Sequence, residues 1–487
     1  MTGRYGFGGM SASRRAFMRA LTFGLVGMRC GAVVAHPPTE SEMTSTTESS
    51  RADHAAVFPL AVEPGKRYLV DAAGTLFLIH GDTAWSLIAQ LTREDVDFYL
   101  HDRHARGFNA ILVSLIENHY SSNPPANAYG QRPFEDLQLG GSGAVADYTA
   151  PNEAYFAYAD WVLRRAAAKG ILVLLTPSYV GCCSDGWYDA MVANGADRLQ
   201  RYGEYLGRRY RDFTNILWVH GGDANPPEKD LVRAIAEGIR RFDSRSLHTA
   251  HAAPWTPALD YWAGEPWLQV NTAYTAHPDA WSDNPVYADA LEEYARPERM
   301  PFFLIEGVYE NSRGVSERHL RTQAYQALLS GAAGQVFGNS PIWYFDMPGY
   351  DPLPVTWKEA LGSRGAQSMT HLRDLLMPIP WWLLKPDTNH TLLTDGLGPE
   401  EERAVAARTA DGSLAIFYLP GSREVTIDLE QLAGPRVVAS WYDPADGRFS
   451  AVVGSPFPAT EPQQFRPKPG NNSSGFDDWV LILESLS

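Results

Sequence analysis

The strongest constraint on the fold is a series of short, wholly apolar segments that alternate with helical ones through most of the chain. FNAILVSL, ILVLLTP and NILWVHGG show no regular alternation of polar and apolar residues. Strands of this kind are buried on both faces, as in a parallel sheet that helices cover on each side. Eight such strands can be counted, with approximate starts at Leu76, Ala110, Ile171, Ile216, His248, Leu268, Phe302 and Gln335.

Eight β/α units close into a barrel, so the sequence predicts the α/β class and a (β/α)8 TIM barrel. An open, doubly wound sheet is the alternative, but no glycine-rich nucleotide loop follows the first strand. Thr92 and Gly107 are a typical start and stop for the first predicted helix, 92–106. The other helices are predicted at 153–169, 196–211, 228–242, 286–296 and 316–332.

The pattern changes after about residue 395. Short strand patterns there are divided by the turn signals Asp411-Gly412 and Asp446-Gly447 and show no helical period. This predicts a small all-β sandwich. We therefore place the catalytic barrel at 57–392 and a β-sandwich accessory domain at 393–487, after a linker at 36–56 that is rich in Ser, Thr and Glu.

Residues 1–35 have the features of a targeting segment. Arg14 and Arg15 form a twin-arginine pair, and a moderately apolar stretch and the small residues VVA follow it. The apolar stretch is too short to span a bilayer stably. We expect a twin-arginine signal peptide and export to the periplasm or outside; a chance arginine pair in a basic leader is the alternative.

Composition narrows the classes of partner. The formal net charge is −16, which disfavours nucleic acid and anionic membranes, and no other stretch predicts a membrane span. The three cysteines, Cys30, Cys182 and Cys183, provide neither a disulfide framework nor a zinc spacing. The 14 tryptophans suit stacking on sugar rings, although large cores also bury aromatic residues. A carbohydrate substrate is expected, without a metal or cofactor.

In (β/α)8 barrels the active site forms at the carboxyl ends of the strands. Cleavage of a glycosidic bond needs two carboxyl groups on opposite sides of the anomeric carbon. Asp223 follows strand four, after two glycines that would let the backbone approach a ligand closely, and Glu306 ends the apolar strand seven. These strands face each other across the barrel, so Asp223 and Glu306 are the predicted catalytic residues.

Polar and aromatic residues after the other strands would hydrogen-bond to and stack on a sugar. Glu310 is interpreted as a supporting or surface residue rather than a catalytic one. The predicted substrate-binding residues are His80, Asp82, Trp85, Asn118, Tyr179, His220, Tyr274, Asn339 and Trp343.

Other interpretations stay open at this point. Asp223 or Asp82 could cap a turn or helix, Glu306 could pair with an arginine, and Glu117 could be the second carboxylate. His80, Asp82 and His220 faintly suggest a barrel metallohydrolase, but its usual His-x-His pair is missing. No zinc-peptidase or serine-hydrolase motif occurs. A barrel that binds glycans without turnover is a further alternative.

Four segments in order, RYLVDAAGTLFLIHGDTAW, NILWVHGGDANP, PFFLIEGVYE and GNSPIWYF, resemble the apiosidase-like glycoside hydrolases. The segment from ARTADGSL to ADGRF resembles the module that follows their barrel and is labelled collagen-binding; we interpret it as a packing module that supports the barrel. The resemblance covers about residues 57–485. It implies an exo-acting enzyme that releases a terminal sugar, apiose in characterised members, from pectic side chains of plants.

The resemblance also assigns the acid/base role to Asp223 and the nucleophile to Glu306, which implies retention of configuration. Retention predicts carboxyl groups about 5–5.5 Å apart, whereas inversion needs roughly 6.5–9.5 Å. Asp223 must hold a proton at rest, so burial or the charge of Glu306 should raise its pKa. One departure from the family is the loop with Cys182-Cys183, which would reshape the pocket and leaves other furanose or pyranose sugars open.

Overall fold

The structure is a computed structural model that describes residues 56–138, 144–181, 185–275, 286–312, 314–467 and 470–486. The predicted leader, nearly all of the linker and Cys182-Cys183 lie outside the described residues. None of the described helices combines the length and the apolar composition needed to cross a bilayer.

The predicted (β/α)8 barrel is confirmed. The strands up to residue 337 are β1 (Ala61–Val62), β2 (Leu69–Val70), β3 (Leu76–Phe77), β4 (Ile79–Thr83), β5 (Ala110–Ser114), β6 (Phe134–Gln138), β7 (Ala144–Pro151), β8 (Leu172–Thr176), β9 (Ile216–Gly221), β10 (Leu247–His251), β11 (Asn271–Tyr274), β12 (Phe302–Glu306) and β13 (Gly334–Phe337). Eight of them form a parallel sheet in the order β10-β9-β8-β5-β4-β13-β12-β11. At the seam, the backbone N–H groups of Gln269 and Val270 donate to the carbonyl of His248 at 3.0 and 3.3 Å, so β10 lies next to β11.

Side chains on the barrel strands alternate between the interior and the layer under the helices. On β9, Leu217 and Val219 belong to the cluster inside the barrel, whereas Ile216 and Trp218 pack under the helices. Both environments are apolar, which is why the strand sequence lacks polar alternation.

Helices surround the barrel largely as predicted. They are α1 (Leu87–Gln90), α2 (Arg93–Ala105), α3 (Glu153–Ala167), α4 (Tyr188–Tyr210), α5 (Lys229–Arg240), α6 (Ala258–Tyr261), α7 (Val286–Ala295), α8 (Glu317–Leu329), α9 (Trp357–Ala360) and α10 (Arg364–Leu376). The cap at Thr92 is confirmed, because its hydroxyl accepts the N–H of Asp95 at 3.3 Å. α4 starts earlier than position 196 because it joins two helical pieces at Gly195, whose φ of 69° interrupts the helical pattern.

The first barrel strand differs from the prediction. Leu76 was expected to start it, but Leu76–Phe77 pairs with Leu69–Val70 in the small antiparallel sheet β1-β2-β3. The barrel strand follows at Ile79–Thr83, where Gly81 and Asp82 align with Ala110 and Ile111 of β5. Residues expected beyond the end of the strand therefore lie within it.

The predicted all-β sandwich is also present. Its strands are β14 (Leu384–Pro386), β15 (Leu393–Asp395), β16 (Val405–Thr409), β17 (Leu414–Leu419), β18 (Val425–Asp428), β19 (Arg436–Tyr442), β20 (Phe449–Ala451), β21 (Phe457–Pro458), β22 (Pro462–Phe465) and β23 (Trp479–Leu486). The larger sheet has the order β14-β16-β17-β23-β19-β20 with β21 beside β19, and the smaller sheet has the order β15-β18-β22.

Both faces of the larger sheet contact other parts of the protein. Phe417 on β17 packs in the core between the sheets, whereas Tyr418 belongs to the cluster shared with α8 and α10. Tyr418 stacks on Tyr325 with centroids 4.5 Å apart, and the fully buried Arg321 pairs with Asp478 at 2.6 Å. The sandwich therefore shares a continuous core with the barrel, in keeping with a supporting role.

Candidate active site

The segment that carries Asp223 has an unusual backbone. Gly221, Gly222 and Asp223 all have positive φ, at 90°, 125° and 50°. A Cβ at 221 would lie 2.5 Å from the carbonyl oxygen of His251, and one at 222 would lie 2.3 Å from a ring carbon of Tyr179. The glycines thus let this turn pack against His251 and Tyr179, rather than against a ligand as the sequence suggested.

Glu306 ends β12 and projects into the same space. Its side chain is only 3% exposed. One carboxylate oxygen accepts the hydroxyl of Tyr309, and the other lies 2.5 Å from Nε2 of His251. The nucleophile candidate is therefore held from two sides.

His251, the last residue of β10, lies between the two acids. Its Nδ1 is 3.5 Å from a carboxylate oxygen of Asp223, on the side opposite its contact with Glu306. Burial lowers the pKa of His251, but the hydrogen bond and charge of Glu306 and the charge of Asp223 outweigh it, so the pKa is raised. The two neighbouring carboxylates therefore stabilise the charged form of this imidazole against the cost of burial.

The three groups are close enough to act together. One carboxylate oxygen of Asp223, one ring nitrogen of His251 and one carboxylate oxygen of Glu306 all lie within 4.8 Å of one another. The predicted pair from opposite sides of the barrel therefore faces a shared space.

The environment sets the protonation of Asp223. Burial, followed by the charge of Glu306, raises its pKa to about 7, although His251 and the hydrogen bond from Tyr179 oppose the shift. The Tyr179 hydroxyl donates to a carboxylate oxygen of Asp223 at 3.0 Å. Asp223 can therefore hold a proton near neutral pH and donate it.

Three of the predicted aromatic residues border the pair. Trp85 lies 5.7 Å from both Tyr179 and His251 between ring centroids, and its Nε1 donates to the Tyr309 hydroxyl at 3.2 Å. Tyr274, at the end of β11, lies 4.6 Å from the ring of His251. Sequence reasoning placed Trp85, Tyr179 and Tyr274 together, and the structure brings them to this site.

Trp343 lies farther out on the same rim. Its half-buried ring is 4.9 Å from Tyr120, 5.4 Å from Tyr350 and 6.1 Å from Tyr309, each in an edge-on arrangement. Nε1 of Trp343 donates to Ser340 at 3.2 Å. This aromatic group borders the approach to Glu306.

The predictions for His80 and Asp82 are wrong. Because the barrel strand is Ile79–Thr83, both residues lie within β4, and their side chains point out of the barrel toward the helices. Asp82 is fully buried and accepts from Tyr99 at 2.7 Å and Arg103 at 3.3 Å, while His80 contacts Gln335 at 3.1 Å. These contacts lie under the helices, so neither side chain reaches the space between Asp223 and Glu306.

The prediction for His220 is also wrong. His220 lies two residues after Trp218 on β9, so its side chain also points out of the barrel toward the helices. Its Nε2 lies 2.8 Å from Nδ1 of His248. Its ring packs edge-on against Trp267 at 5.0 Å. It is a core histidine under the helices.

Asn118 and Asn339 make contacts within the protein. The Asn118 amide donates to the carbonyl of Gly186 at 2.6 Å. The Asn339 amide donates to Glu310 at 2.9 Å, and Glu310 in turn accepts the backbone N–H of Gly365 at 2.7 Å, in the first turn of α10. Asn339 and Glu310 thus position a helix, so the substrate-binding prediction for Asn339 is corrected.

The alternative second carboxylate, Glu117, is committed elsewhere. One of its oxygens accepts the backbone N–H groups of Asn118, His119 and Tyr120 at 2.8, 2.9 and 3.0 Å. It stabilises the turn after β5.

We expect Asp82→Ala to act on stability rather than on chemistry. The change leaves the guanidinium of Arg103 buried with less compensation, and breaking such a pair costs roughly 3–5 kcal/mol. Thermal unfolding measures the loss. The activity per folded molecule, measured below the unfolding transition, should stay within a few-fold of the wild type. A complete loss of activity in folded protein would show that Asp82 takes part in the active site after all.

The sequence places His251 and Tyr309 near strand ends at the rim but assigns neither a role in the site. A signal was available, because LHTAH ends at His251 on the same rim as Asp223, and Tyr309 follows Glu306 by three residues. Their partners could not be assigned without the barrel register.

We expect Tyr309→Phe to lower kcat/KM by about 10- to 150-fold, because a hydrogen bond to a charged group contributes about 1.5–3 kcal/mol. The matched control is Tyr344→Phe, which removes a rim hydroxyl that donates to the carbonyl of Asp351 instead. Steady-state kinetics on one aryl-glycoside compares the two variants. Equal effects would show that the hydroxyl of Tyr309 has no special role.

Asp223, His251 and Glu306 are also the residues that could hold a metal ion in the described part of the chain. Zinc ligands lie about 2.0–2.2 Å from the ion, which places two ligand atoms roughly 3 Å or more from each other. His251 Nε2 and Glu306 Oε2 are 2.5 Å apart, so they would have to separate to share an ion. As they stand, the contact fits a hydrogen bond.

The barrel and the sandwich are shared with solved glycoside hydrolase structures. A crystal structure of a glycoside hydrolase family 5 protein from Bacteroides vulgatus is 24% identical, with a TM-score of 0.73, 88% of this chain covered and 93% of the other. A structure named glycoside hydrolase is 25% identical, with a TM-score of 0.73 and coverages of 88% and 96%. A search of curated proteins finds no match.

The family is defined by the sequence. Residues 63–383 match the model of the apiosidase-like catalytic domain, and residues 386–484 match the model described as the putative collagen-binding domain of a collagenase. The protein belongs to the apiosidase-like family of glycoside hydrolases, as the motifs indicated.

Proposed function

We propose that the protein is an exo-acting, retaining glycoside hydrolase that releases a terminal sugar, apiose or a related furanose or pyranose, from plant cell-wall glycans. The observation that carries this proposal is the proximity of Asp223 and Glu306, with carboxylate oxygens within 4.8 Å of each other. An oxygen of each acid this close to the other supports a closely spaced pair, as in retaining enzymes, whose carboxyl groups lie roughly 5–5.5 Å apart.

The two acids have different environments, which supports different roles for them. Asp223, with a pKa of about 7, gives its proton to the leaving oxygen while the Glu306 carboxylate attacks the anomeric carbon. The glycosidic C–O bond breaks and a covalent ester with Glu306 forms. Asp223, now ionised, takes a proton from water, and that water cleaves the ester to release the sugar and regenerate both groups.

Tyr309 and His251 position Glu306 through hydrogen bonds from two sides. The hydroxyl of Tyr179 donates to Asp223 and orients its carboxyl group. Neither Tyr309 nor His251 needs to exchange a proton with the sugar in this scheme, so both act as positioning residues.

The enclosure of the site favours a chain end as substrate. The side chains of Asp223 and Glu306 are 15% and 3% exposed, and Trp85 and Tyr274 border them. Carboxyl groups with this little exposure favour a terminal residue over the middle of a polymer as the substrate. The choice of apiose rests on the family name alone.

We propose export by the twin-arginine leader as the route to such substrates, which lie outside the cell. The sandwich is proposed to support the barrel, on the basis of the shared core around Arg321 and Tyr418. No affinity for collagen is invoked.

A screen of aryl-glycosides and pectic oligosaccharides tests this function, with ¹H NMR of the first product in the presence of methanol. We expect release of a single terminal sugar and a methyl glycoside that retains the substrate's configuration. An inverted product would overturn the retaining mechanism, and internal cleavage products would overturn the exo action. Binding of glycans without turnover would favour the non-catalytic alternative, and loss of activity with a chelator would favour the metal-dependent one.

A further inference from the structure

A cleft of about 230 Å³ lies at the end of the barrel opposite to Asp223 and Glu306. Several of its lining residues come directly before barrel strands: Leu78 before β4, Arg299 shortly before β12 and Ala332 before β13. Asp223 and Glu306, in contrast, lie at or just past the carboxyl ends of their strands. The lining also includes the segment Trp381–Leu383, which joins the barrel to the sandwich, and Ala410 of the sandwich. The cleft therefore lies where the two domains meet.

The charged residues of this cleft have one sign. All four of them are basic: Lys66, Arg67, Arg299 and Lys385. The whole chain has 57 acidic and 41 basic residues, so a lining with four cations and no acid departs from the rest of the molecule. The nearby acids Asp260 and Glu293 are paired with Arg296, which is outside the lining. A local positive potential in a protein of net charge −16 favours an anionic ligand.

Arg67 is the cation best placed to receive such a ligand. Its guanidinium lies 4.6 Å from the ring centroid of Tyr294, and one nitrogen donates to the carbonyl of Arg296 at 3.2 Å. Burial, and then the neighbouring charge of Arg299, lowers the pKa of Arg67. An anion in the cleft would offset that charge, and the guanidinium would provide it with a charged donor.

Aromatic faces accompany the cations. Trp381 and Trp382 are nearly perpendicular, at 87°, and Trp382 is 37% exposed. Gly331 has a φ of 102°, and a Cβ there would lie 2.2 Å from a ring carbon of Tyr294, so the glycine makes room for that ring. Exposed tryptophan faces bind the apolar faces of sugar rings, whereas a simple inorganic anion gains nothing from them.

We propose that this cleft is a second, non-catalytic carbohydrate site that binds an anionic sugar residue, a uronate, with its carboxylate on Arg67 and its ring on Trp382. The volume is below the roughly 300–1,000 Å³ of pockets for drug-sized ligands, so one residue of a longer chain fits in it. The site goes beyond the proposed hydrolysis, because it would hold an acidic glycan whichever sugar the active site releases.

The test measures binding of oligogalacturonate to the full-length protein by calorimetry, in a Glu306→Gln background that prevents cleavage. We expect binding that weakens as salt is raised, and at least tenfold weaker binding of the matching neutral galacto-oligosaccharide. Arg67→Gln and Trp382→Ala should each lower the affinity at least tenfold. The matched control is Arg448→Gln, at an arginine that is 85% exposed on the sandwich and lies outside the cleft.

The same cleft substitutions in the otherwise wild-type enzyme should leave the hydrolysis of a small aryl-glycoside unchanged, which separates this test from that of the active site. Affinity for oligogalacturonate that survives both Arg67→Gln and Trp382→Ala would overturn the proposal. Inorganic phosphate that competes as well as oligogalacturonate, together with an unchanged affinity in Trp382→Ala, would also overturn it and leave a simple anion site.

Discussion

Glu306→Gln should reduce kcat by on the order of 10⁴- to 10⁶-fold while the protein stays folded, because losing a nucleophile removes the covalent route altogether. Glutamine keeps the shape of the side chain and can still contact Tyr309 and His251. The loss would therefore report on chemistry rather than on packing. Stopped assays with a sensitive aryl-glycoside, together with a thermal melt, measure both quantities.

Glu117→Gln is the matched control for this experiment. Glu117 is another buried carboxylate at the rim, but it accepts three backbone N–H groups of its own turn. Its substitution should lower the melting temperature and leave kcat within about tenfold of the wild type, because the cost falls on the folded state. Full activity of Glu306→Gln would contradict the role of Glu306 as the nucleophile. A folded but inactive Glu117→Gln would instead assign Glu117 a role in the chemistry.

Asp223→Ala should lower kcat/KM by about 10²- to 10⁴-fold on natural glycosides, the usual contribution of a general acid. Aryl-glycosides with strongly acidic leaving groups need little protonation, so the first step should survive on them. Hydrolysis of the glycosyl-enzyme would then become limiting, and kcat and KM should fall together. Azide, which needs no general base, should restore kcat and give a glycosyl azide of retained configuration.

The same residue should set the basic limb of the pH profile. Catalysis needs the protonated form of Asp223, and burial and the charge of Glu306 raise its pKa to about 7. kcat/KM should therefore fall as the pH rises above about 7, and this limb should disappear in Asp223→Ala. A wild-type profile that stays flat to pH 9, or a limb that survives in the variant, would contradict the assignment of Asp223 as the acid.

The barrel could be predicted from the sequence because parallel strands covered by helices are apolar throughout. The same property hides which face of a strand a residue occupies. His220 and His251 both stand at the ends of such strands, yet His220 packs under the helices beside Trp267 and His251 lies inside, between Asp223 and Glu306. Only the register of the closed sheet distinguishes them.

The error at His80 and Asp82 has a related cause. Leu76–Phe77 is apolar and precedes the barrel strand closely, so the apolar pattern alone does not separate the small antiparallel sheet from the barrel. A shift of the strand along the sequence changes which residues lie past its end. The facing positions of Asp223 and Glu306 were predictable because Glu306 ends its strand and Asp223 comes two residues after its own, which places both at the carboxyl rim of the barrel.

The most direct test of the central claim is mass spectrometry of the enzyme after incubation with a 2-fluoro analogue of whichever aryl-glycoside it turns over. The fluorine slows both steps, and a good leaving group lets the covalent intermediate accumulate. We predict that the mass increase of one fluorosugar maps to Glu306 and is absent in Glu306→Gln. A label on another residue, or an active enzyme that forms no covalent intermediate under these conditions, would contradict the account of Asp223 and Glu306 as a retaining pair.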